Sequence, residues 1–285
     1  WLFWTRKFIM LDSSNFFLEN TKNTKPDIAV ILGSGLTNFF DQKDVLYSIT
    51  YDKLSGFPQP SVQGHTGKLE LGSLYNKKVV CMYGRSHIYE GHDPSILTNP
   101  IRFLKDIGCK LLIITNAAGS LNKDMPAGSL MVISDHINLS GYNPLIGENN
   151  ESYGPRFPDM SDAYTQYYRD QIKETAKKIN QKIYEGIYCM VSGPNFETPA
   201  EINAFKIMGA NAVGMSTVPE TLIANHCLLP SVAISVITNL AAGMNKTKLS
   251  HQETLDNSAL AEKHLLKIIK NFINDVIFND TSRNN

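Results

Sequence analysis

Short apolar runs that end at small or polar residues recur along this chain and constrain its fold more than any other feature. They occupy residues 27–32, 79–83, 111–115, 184–191, 212–215 and 232–238. Helical patterns alternate with the later runs, over residues 162–180, 199–208, 219–227 and 250–277. Buried strands that alternate with helices indicate a parallel or mixed sheet covered on both faces. The sequence therefore predicts a single α/β domain.

The residues that follow these strands predict where a ligand binds. In α/β sheets, ligands bind outside the carboxyl ends of the strands. Those ends carry Gly33-Ser34-Gly35 after the first run, Arg85 and His87 after the second, and Ser216 after the fifth. Small, polar and charged residues thus recur at one edge of the sheet, and we expect one shared site there.

Several of these tips suit an anion. Glycines at Gly33 and Gly35 let a backbone approach closely while Ser34 donates a hydrogen bond, although a plain tight turn explains the same residues. Arg85 and His87 are two residues apart in an extended segment, so their side chains point the same way and suit an oxyanion. A salt bridge at the rim of the sheet is the alternative explanation. With Ser216 they fit phosphate or a phosphate ester.

The segment from residue 192 to 216 predicts a site for a flat ring. Thr198 and Glu201, with Pro199 between them, form a capping box that opens a helix, so Glu201 has a structural role. Glu197 lies in the loop beside Phe196. A carboxylate next to an aromatic ring suits an N–H-bearing ring on which the Phe can stack, whereas a surface Glu and a core Phe are the alternative.

Composition excludes several classes of protein. The 285 residues carry no net charge, which gives no electrostatic footprint for nucleic acid or an anionic membrane. The four cysteines have no CxxC spacing, and we expect buried free thiols in a reducing, cytoplasmic compartment. No cluster has metal-ligand spacing and no GxSxG nucleophile elbow is present, so we expect neither a metal nor covalent acyl chemistry.

The two ends of the chain carry no motif. Residues 1–25 are expected to be a poorly ordered arm, with 1–9 outside the native protein if Met10 is the start. The apolar run at residues 1–11 is too short and too broken to span a membrane. The expected domain covers residues 26–278, followed by a flexible tail at 279–285.

Long motifs in a fixed order make the chain resemble the purine nucleoside phosphorylases, specifically the trimeric class that prefers 6-oxopurines. The motifs are ILGSGL (31–36), GHTGKLELG (64–72), GRSHIYEG (84–91), TNAAGSLN (115–122), DHINLSGYNPL (135–145), GPNFETPAEI (193–202), GANAVGMSTVPE (209–220) and ITNLAAG (237–243). The resemblance implies a single αβα domain around a mixed, partly barrel-like sheet. Ser86 departs from it, because many relatives have an aromatic residue there.

The resemblance also implies a role for individual residues. It assigns phosphate to Ser34, His65, Arg85, His87, the backbone at Ala117, and Ser216. It assigns the ribose to Tyr89, Tyr188, Met215 and His251, and the purine to Phe196, Glu197, Val213 and Asn239. Phe157 resembles the residue that each subunit of a homotrimer lends to its neighbour's site. His251 is equally consistent with a solvent-exposed residue in the first turn of the last helix.

The implied activity is reversible phosphorolysis of 6-oxopurine nucleosides, which serves purine salvage. Inorganic phosphate is a co-substrate and no cofactor is expected. Asn239, Glu197 and His87 are the expected catalytic residues. The alternatives are a methylthioadenosine phosphorylase, which would carry Asp in place of Asn239, and a nucleoside-binding protein without turnover, which would have a broken phosphate site.

Overall fold

A nine-stranded mixed sheet organises the residues that the computed structural model describes, which are 10–36, 38–62, 65–92, 94–244 and 251–279, without the side chains of 94, 95 and 251–260. The strands are β1 (Ile28–Leu32), β2 (Val45–Thr50), β3 (Lys68–Leu74), β4 (Lys77–Tyr83), β5 (Leu111–Ser120), β6 (Leu130–Asn138), β7 (Tyr184–Met190), β8 (Ala212–Gly214) and β9 (Ser231–Leu240).

One half of this sheet closes on itself. The strand order is β2-β3-β4-β1-β5-β8-β7-β6-β9, and β9 also pairs in parallel with β5. The five strands β5, β8, β7, β6 and β9 therefore form a closed barrel, while β1 to β4 extend the sheet beyond it. Parallel pairs such as β1–β4 and β1–β5 coexist with antiparallel pairs such as β3–β4. The expected α/β fold with a mixed, partly barrel-like sheet is confirmed.

Helices cover both faces of the sheet. They are α1 (Asp12–Asn20), α2 (Asn99–Asp106), α3 (Gln166–Lys178), α4 (Pro199–Ile207), α5 (Val218–His226) and α6 (His251–Asp275). Residues of α1, α2 and α5 share one buried cluster with the sheet. Residues of α3 and α6 share another on the opposite face, and α4 contributes Ile202 and Phe205 to a third. This burial of apolar area on two faces produces the three αβα layers.

The N-terminal segment corrects the expectation of a poorly ordered arm through residue 25. Residues 12–20 form α1, and Phe17 is fully buried with its ring 5.4 Å from that of Phe103. Asp106 fixes the start of the helix, because its Oδ2 accepts hydrogen bonds of 3.0 Å from the Leu11 amide and from Ser14 Oγ. One buried aromatic side chain and one long-range carboxylate therefore order a segment whose composition is mostly polar. Residues 1–9 lie outside the described residues.

Strand β5 runs further than the sequence pattern predicted. The apolar run ends at Thr115, but the strand continues to Ser120 because residues 116–120 pair with β9 and the last two also pair with β8. Residues 116–120, which follow the predicted apolar run, are thus part of the barrel wall. The six apolar runs do not include β2, β3 or β6, and the helical patterns do not include α2.

All four cysteines are buried and free, as predicted. Cys109 and Cys227 belong to the cluster with α1, α2 and α5, Cys81 to the cluster with α3 and α6, and Cys189 to the cluster with α4. Burial raises the pKa of Cys189 and of Cys227 to about 11. In the part of the chain that the structure describes, no helix has both the length and the apolar character needed to cross a membrane.

Candidate active site

A cavity of about 380 Å³ lies where several strands end, at the junction of the barrel and the open sheet. Strands β1, β4, β5, β8 and β9 or the residues that follow them contribute to its wall. The predicted site residues that line it are Ser34, His65, Arg85, His87, Tyr89, Ala117, Phe196, Glu197, Val213, Met215, Ser216 and Asn239. Residues that are more than 200 positions apart therefore meet in one cavity, as the carboxyl-end argument predicted.

Arg85 follows β4 and is held in the cavity wall by an ion pair. Its Nη1 lies 3.1 Å from Glu220 Oε1, at the start of α5, and its Nη2 donates to the carbonyl oxygen of Thr115. Arg85 is 6% exposed and Glu220 13% exposed. The Arg85–Glu220 pair is buried, so it is not a salt bridge at the exposed rim of the sheet, and Arg85 lines the cavity.

Thr217 supports this arrangement with a strained backbone. Its φ of 77° is rare for a non-glycine residue and costs about 1–3 kcal/mol. The conformation places the buried Thr217 hydroxyl 3.4 Å from Arg85 Nη1 and 2.8 Å from Asn116 Nδ2. Ser216 Oγ lies 3.3 Å from the same hydroxyl. Strain of this kind is typical of functional sites, and here it joins the end of β8 to Arg85.

His65 and Ser34 complete the anion-binding end of the cavity. His65 Nε2 lies 2.8 Å from Ser34 Oγ, and its Nδ1 lies 2.8 Å from the backbone nitrogen of Arg85. Burial, followed by electrostatic repulsion from the neighbouring His87 and Arg85, lowers the pKa of His65 to about 3. His65 is therefore neutral at physiological pH and acts as a hydrogen-bonding group that joins two strand ends.

His87 is oriented by Glu90, which follows it by one turn. His87 Nδ1 lies 2.9 Å from Glu90 Oε1, and the His87 amide donates to the same oxygen over 2.7 Å. Burial opposes the ionisation of Glu90, but hydrogen bonds from His87 and Ser61 outweigh it and lower its pKa to about 2. A fixed carboxylate thus sets the His87 ring, which stacks on Tyr89 at 4.8 Å.

Tyr89 and Met215 both line the cavity, and both pack against Gly193. An ideal Cβ on Gly193 would lie 2.3 Å from Met215 Sδ and 3.2 Å from the Tyr89 ring, and its φ of 67° is left-handed. Position 193 therefore tolerates no side chain. The two residues that the sequence predicts as ribose contacts therefore pack against the same glycine.

Glu197 and Asn239 lie at the other end of the cavity. Helix α4 begins with the predicted capping box, in which Thr198 and Glu201 satisfy each other's backbone amides. Glu201 is therefore occupied, and Glu197 remains at the cavity with Phe196 beside it. Burial raises the pKa of Glu197, and the nearby charge of Glu201 adds to the shift. Asn239 ends the buried part of β9 and lies against Gly119, which Val213 also approaches.

Comparison with known proteins gives the same family as the motifs. The model of the Phosphorylase superfamily matches residues 27–274. Purine nucleoside phosphorylase 1 of Bacillus subtilis is 43% identical over 254 residues, covering 89% of this chain and 94% of that protein. The purine nucleoside phosphorylase of Mus musculus is 42% identical over 264 residues, covering 90% and 91%. The chain belongs to the purine nucleoside phosphorylase family.

Solved structures of this family superpose on the whole fold. A Schistosoma mansoni purine nucleoside phosphorylase in complex with adenosine has a TM-score of 0.86 and 36% identity, with 94% of this chain and 96% of that chain covered. Isoform 2 from the same organism, in complex with cytosine and ribose-1-phosphate, has a TM-score of 0.87 and 34% identity, with the same coverage. The expected family and its αβα architecture are confirmed.

Two of the predicted site residues of this phosphorylase-family chain, Tyr188 and Phe157, do not line its cavity. Tyr188 is fully buried, and its hydroxyl accepts a hydrogen bond of 3.3 Å from the Ser216 amide. The predicted ribose contact is therefore corrected: Tyr188 supports the strand end from behind. Phe157 is 88% exposed on the loop between β6 and α3. His251 begins α6, and its side chain lies outside the described part of the structure.

Sequence reasoning missed four residues that position the site, namely Glu90, Thr217, Glu220 and Thr238. Two of them had a signal in the sequence. Glu90 is a carboxylate three residues after His87, and Glu220 is a carboxylate in the first turn of a helix that follows a strand end. Thr217 and Thr238 gave no signal, because their positions depend on backbone geometry. Within the described ranges, no group of three or more His, Cys, Asp or Glu residues could hold a metal ion.

Proposed function

We propose that this chain catalyses the reversible phosphorolysis of 6-oxopurine ribo- and deoxyribonucleosides to free base and ribose or deoxyribose 1-phosphate. The observation that carries the proposal is one cavity with donors for an anion at one end and Glu197 with Asn239 at the other. Tyr89 and Met215 line the same cavity and pack against Gly193, and we assign them to the sugar that joins the two ligands. Membership of the family supports the same reaction.

The chemistry follows from charge. A phosphate oxygen forms a bond to C1′ of the sugar while the bond from C1′ to N9 breaks, and the purine leaves with the electron pair. Arg85, His87, Ser34 and Ser216 hold the phosphate, whose negative charge stabilises the cation-like sugar in the transition state. Asn239 donates a hydrogen bond to the N7 and O6 edge of the departing purine. The Glu197 carboxylate accepts from N1–H. Inorganic phosphate is a co-substrate, and no cofactor takes part.

Phosphate dependence tests the proposal. Inosine supplied with phosphate should release hypoxanthine, and inosine supplied alone should not. Arg85→Ala should raise the phosphate KM strongly, with a loss of about 2–4 kcal/mol for a buried charged contact, and Arg85→Lys should restore it in part because Lys lacks the planar fork. A chain that binds nucleoside without turnover would contradict the proposal.

Base selectivity separates this reaction from the methylthioadenosine phosphorylase alternative, which the named relatives do not favour. Inosine and guanosine present acceptors at N7 and O6 and an N1–H to Glu197, whereas adenine has no N1–H. The resulting mismatch costs about 1–3 kcal/mol. Asn239→Asp should lower kcat/KM for inosine and reduce its ratio to kcat/KM for adenosine, because a carboxylate accepts a hydrogen bond from the 6-amino group. A native ratio of kcat/KM for inosine to adenosine near one would contradict this pocket assignment.

We also propose that the chain assembles as a homotrimer and works in the cytoplasm. Phe157 supports the assembly, since a large aromatic side chain that is almost fully exposed on a surface loop suits a contact with a second subunit. The four free cysteines support a reducing compartment. Light scattering of the purified protein gives the subunit number, and a stable, fully active monomer would contradict the trimer.

A further inference from the structure

Thr238 and Asn239 are adjacent in β9, yet both line the cavity. Neighbouring residues of a regular strand point to opposite faces of the sheet. Here the pairing of β9 with β5 is irregular: Ala118 pairs with Ile237 and Gly119 with Asn239, so Thr238 is left out of the register. An extra residue of this kind is a β-bulge, which re-aims side chains and is frequent beside active sites. The bulge is the reason that two successive side chains share one cavity.

The bulge brings the Thr238 hydroxyl to the side-chain amide of Asn239. Thr238 Oγ1 donates to Asn239 Oδ1 over 2.8 Å, and Asn239 Nδ2 donates to the Leu240 carbonyl oxygen over 3.0 Å. Thr238 is 1% exposed and Asn239 7% exposed. The oxygen and the nitrogen of the amide are thus both hydrogen-bonded in a buried environment, where a hydrogen bond is costly to break.

This arrangement fixes which atom the amide offers to a ligand. Turning the amide by 180° would place Oδ1 against the Leu240 carbonyl, so two acceptors would face each other. It would also break the 2.8 Å hydrogen bond from Thr238 Oγ1 to Oδ1, and the Ala118 carbonyl oxygen lies farther from that hydroxyl, at 3.4 Å. The second N–H of the amide can donate a hydrogen bond to an acceptor on the purine. Gly119 lies close to the same nitrogen, which would be 3.3 Å from an ideal Cβ on Gly119.

We infer that Thr238 is a specificity-determining positioning residue, which holds Asn239 as a hydrogen-bond donor and so favours purines with an acceptor at position 6. The inference rests on the proposed function, because it assumes that Asn239 faces the purine. It deepens that function by adding a residue that acts through Asn239 rather than on the substrate itself. Thr238 is thus distinct from Glu197, which selects at N1.

The test removes the Thr238 hydroxyl. Thr238→Val keeps the shape and the β-branch, and Thr238→Ala is made in parallel because it needs no extra room. Each should lower kcat/KM for inosine about tenfold, the value of one buried hydrogen bond, and lower it less for adenosine. The ratio of inosine to adenosine therefore falls, while the phosphate KM stays unchanged. Thr238→Ser keeps the hydroxyl and should keep the native ratio.

Repeating the Thr238→Val substitution in a protein that already lacks the Asn239 amide separates a positioning role of Thr238 from a merely structural one. In Asn239→Ala protein, Thr238→Val should not change the ratio further, because the residue through which it acts is absent. The inference would be overturned if Thr238→Val had the same inosine-to-adenosine ratio of kcat/KM as the native protein. It would also be overturned if adding Thr238→Val to Asn239→Ala lowered that ratio further. Failure of the native protein to cleave inosine with phosphate would overturn the proposed function instead. The two failures are therefore distinguishable, and melting temperatures confirm that each variant is folded.

Discussion

Arg85 carries the only formal positive charge that we expect to face the phosphate, and the protein already neutralises it. Its ion pair with Glu220 is buried on both sides. Taking two charges out of water costs several kcal/mol per ion, and Thr217 and the Thr115 carbonyl stabilise the pair with further hydrogen bonds to the guanidinium. Glu220 therefore fixes the position of Arg85 before any anion arrives.

Removing the charge of Glu220 should make the fold depend on phosphate. Glu220→Gln keeps an oxygen acceptor for Arg85 but leaves the buried guanidinium without its counter-charge, which we expect to cost about 3 kcal/mol of stability. Phosphate restores a negative charge beside Arg85 and so should raise the melting temperature of the variant more than that of the native protein. Thermal unfolding with and without phosphate measures the loss of stability and the phosphate-induced rise in melting temperature. Equal phosphate-induced shifts in the two proteins would show that the ion pair does not hold Arg85.

Glu197 should make stability and activity respond to pH in opposite directions. Burial raises its pKa, so the folded state disfavours the charged form. The stabilisation associated with the protonated form is fully present below the ordinary value of 4.5 and is lost as the pH rises through the raised folded value. The Glu197 carboxylate, which we propose accepts from N1–H of the purine, appears over the same pH range. The proposed base-binding group is therefore formed at the expense of stability.

Glu197→Gln tests this relation. The variant cannot ionise, so at neutral pH it should melt at a higher temperature than the native protein, and the difference should shrink as the pH falls towards 4.5. Its inosine cleavage should be low at every pH, because the amide offers a weaker acceptor. The measurements are melting temperature and kcat/KM across pH. Identical melting curves for the two proteins at neutral pH would contradict the prediction.

At the scale of the elements, the turn after β1 has almost no clearance. The Gly33 amide donates to Thr115 Oγ1 over 2.9 Å, and an ideal Cβ on Gly33 would lie 2.9 Å from the Cα of Asn116 and from the Thr115 carbonyl oxygen. Both of these are backbone atoms of β5. A side chain at position 33 would therefore push the turn away from the sheet and carry Ser34 with it.

Gly33→Ala should therefore impair both folding and phosphate binding. Overpacking against backbone costs about 1–3 kcal/mol, and the shift of Ser34 should raise the phosphate KM. Ser34→Ala is the matched control, since it removes the hydroxyl without adding an atom and should raise the phosphate KM at a nearly unchanged melting temperature. If Gly33→Ala changed neither the melting temperature nor the phosphate KM, the turn would have more freedom than its contacts indicate.

The parts of the fold that the sequence predicted are those with a local signal. Strand tips such as Arg85 and Ser216 follow apolar runs directly, and the capping box at Thr198 is complete within four residues. Other features depend on partners far along the chain. The order of α1 comes from Asp106 and Phe103, and the bulge at Thr238 comes from the register of β9 against β5. Tyr188 was assigned to the cavity because a motif cannot state which face a strand residue occupies.

At the scale of the whole molecule, the loop that carries Phe157 is fixed on the surface rather than on the cavity. Asn149 Oδ1 lies 2.9 Å from His226 Nε2, and the Tyr153 hydroxyl donates to Asp106 over 3.0 Å. An ideal Cβ on Gly154 would lie 1.7 Å from the His226 carbonyl oxygen, so the loop packs directly on α5. Phe157 is thus presented outward from a firm support, which suits donation to another subunit.

Mixed trimers test whether Phe157 serves a neighbour. Phe157→Ala should raise the nucleoside KM, and Asn239→Ala should impair the site in its own subunit. In a trimer assembled from both variants, a Phe157→Ala subunit keeps its own Asn239 and receives Phe157 from an Asn239→Ala neighbour. Subunits refolded together should therefore be more active than the sum of the two separate trimers. Activity equal to that sum would place Phe157 within its own subunit or outside the site.

The four cysteines give this molecule an internal set of reporters. Each thiol is shielded in one of the three apolar clusters, and a raised pKa leaves little thiolate to react with an alkylating reagent. Labelling of the native protein must therefore wait until the surrounding layer opens, so its rate measures the free energy of that opening. Cys189 reports on the α4 side, Cys81 on the α6 side, and Cys109 with Cys227 on the layer that holds α1. Mass spectrometry of a timed alkylation would then rank the three layers by how often each one separates from the sheet.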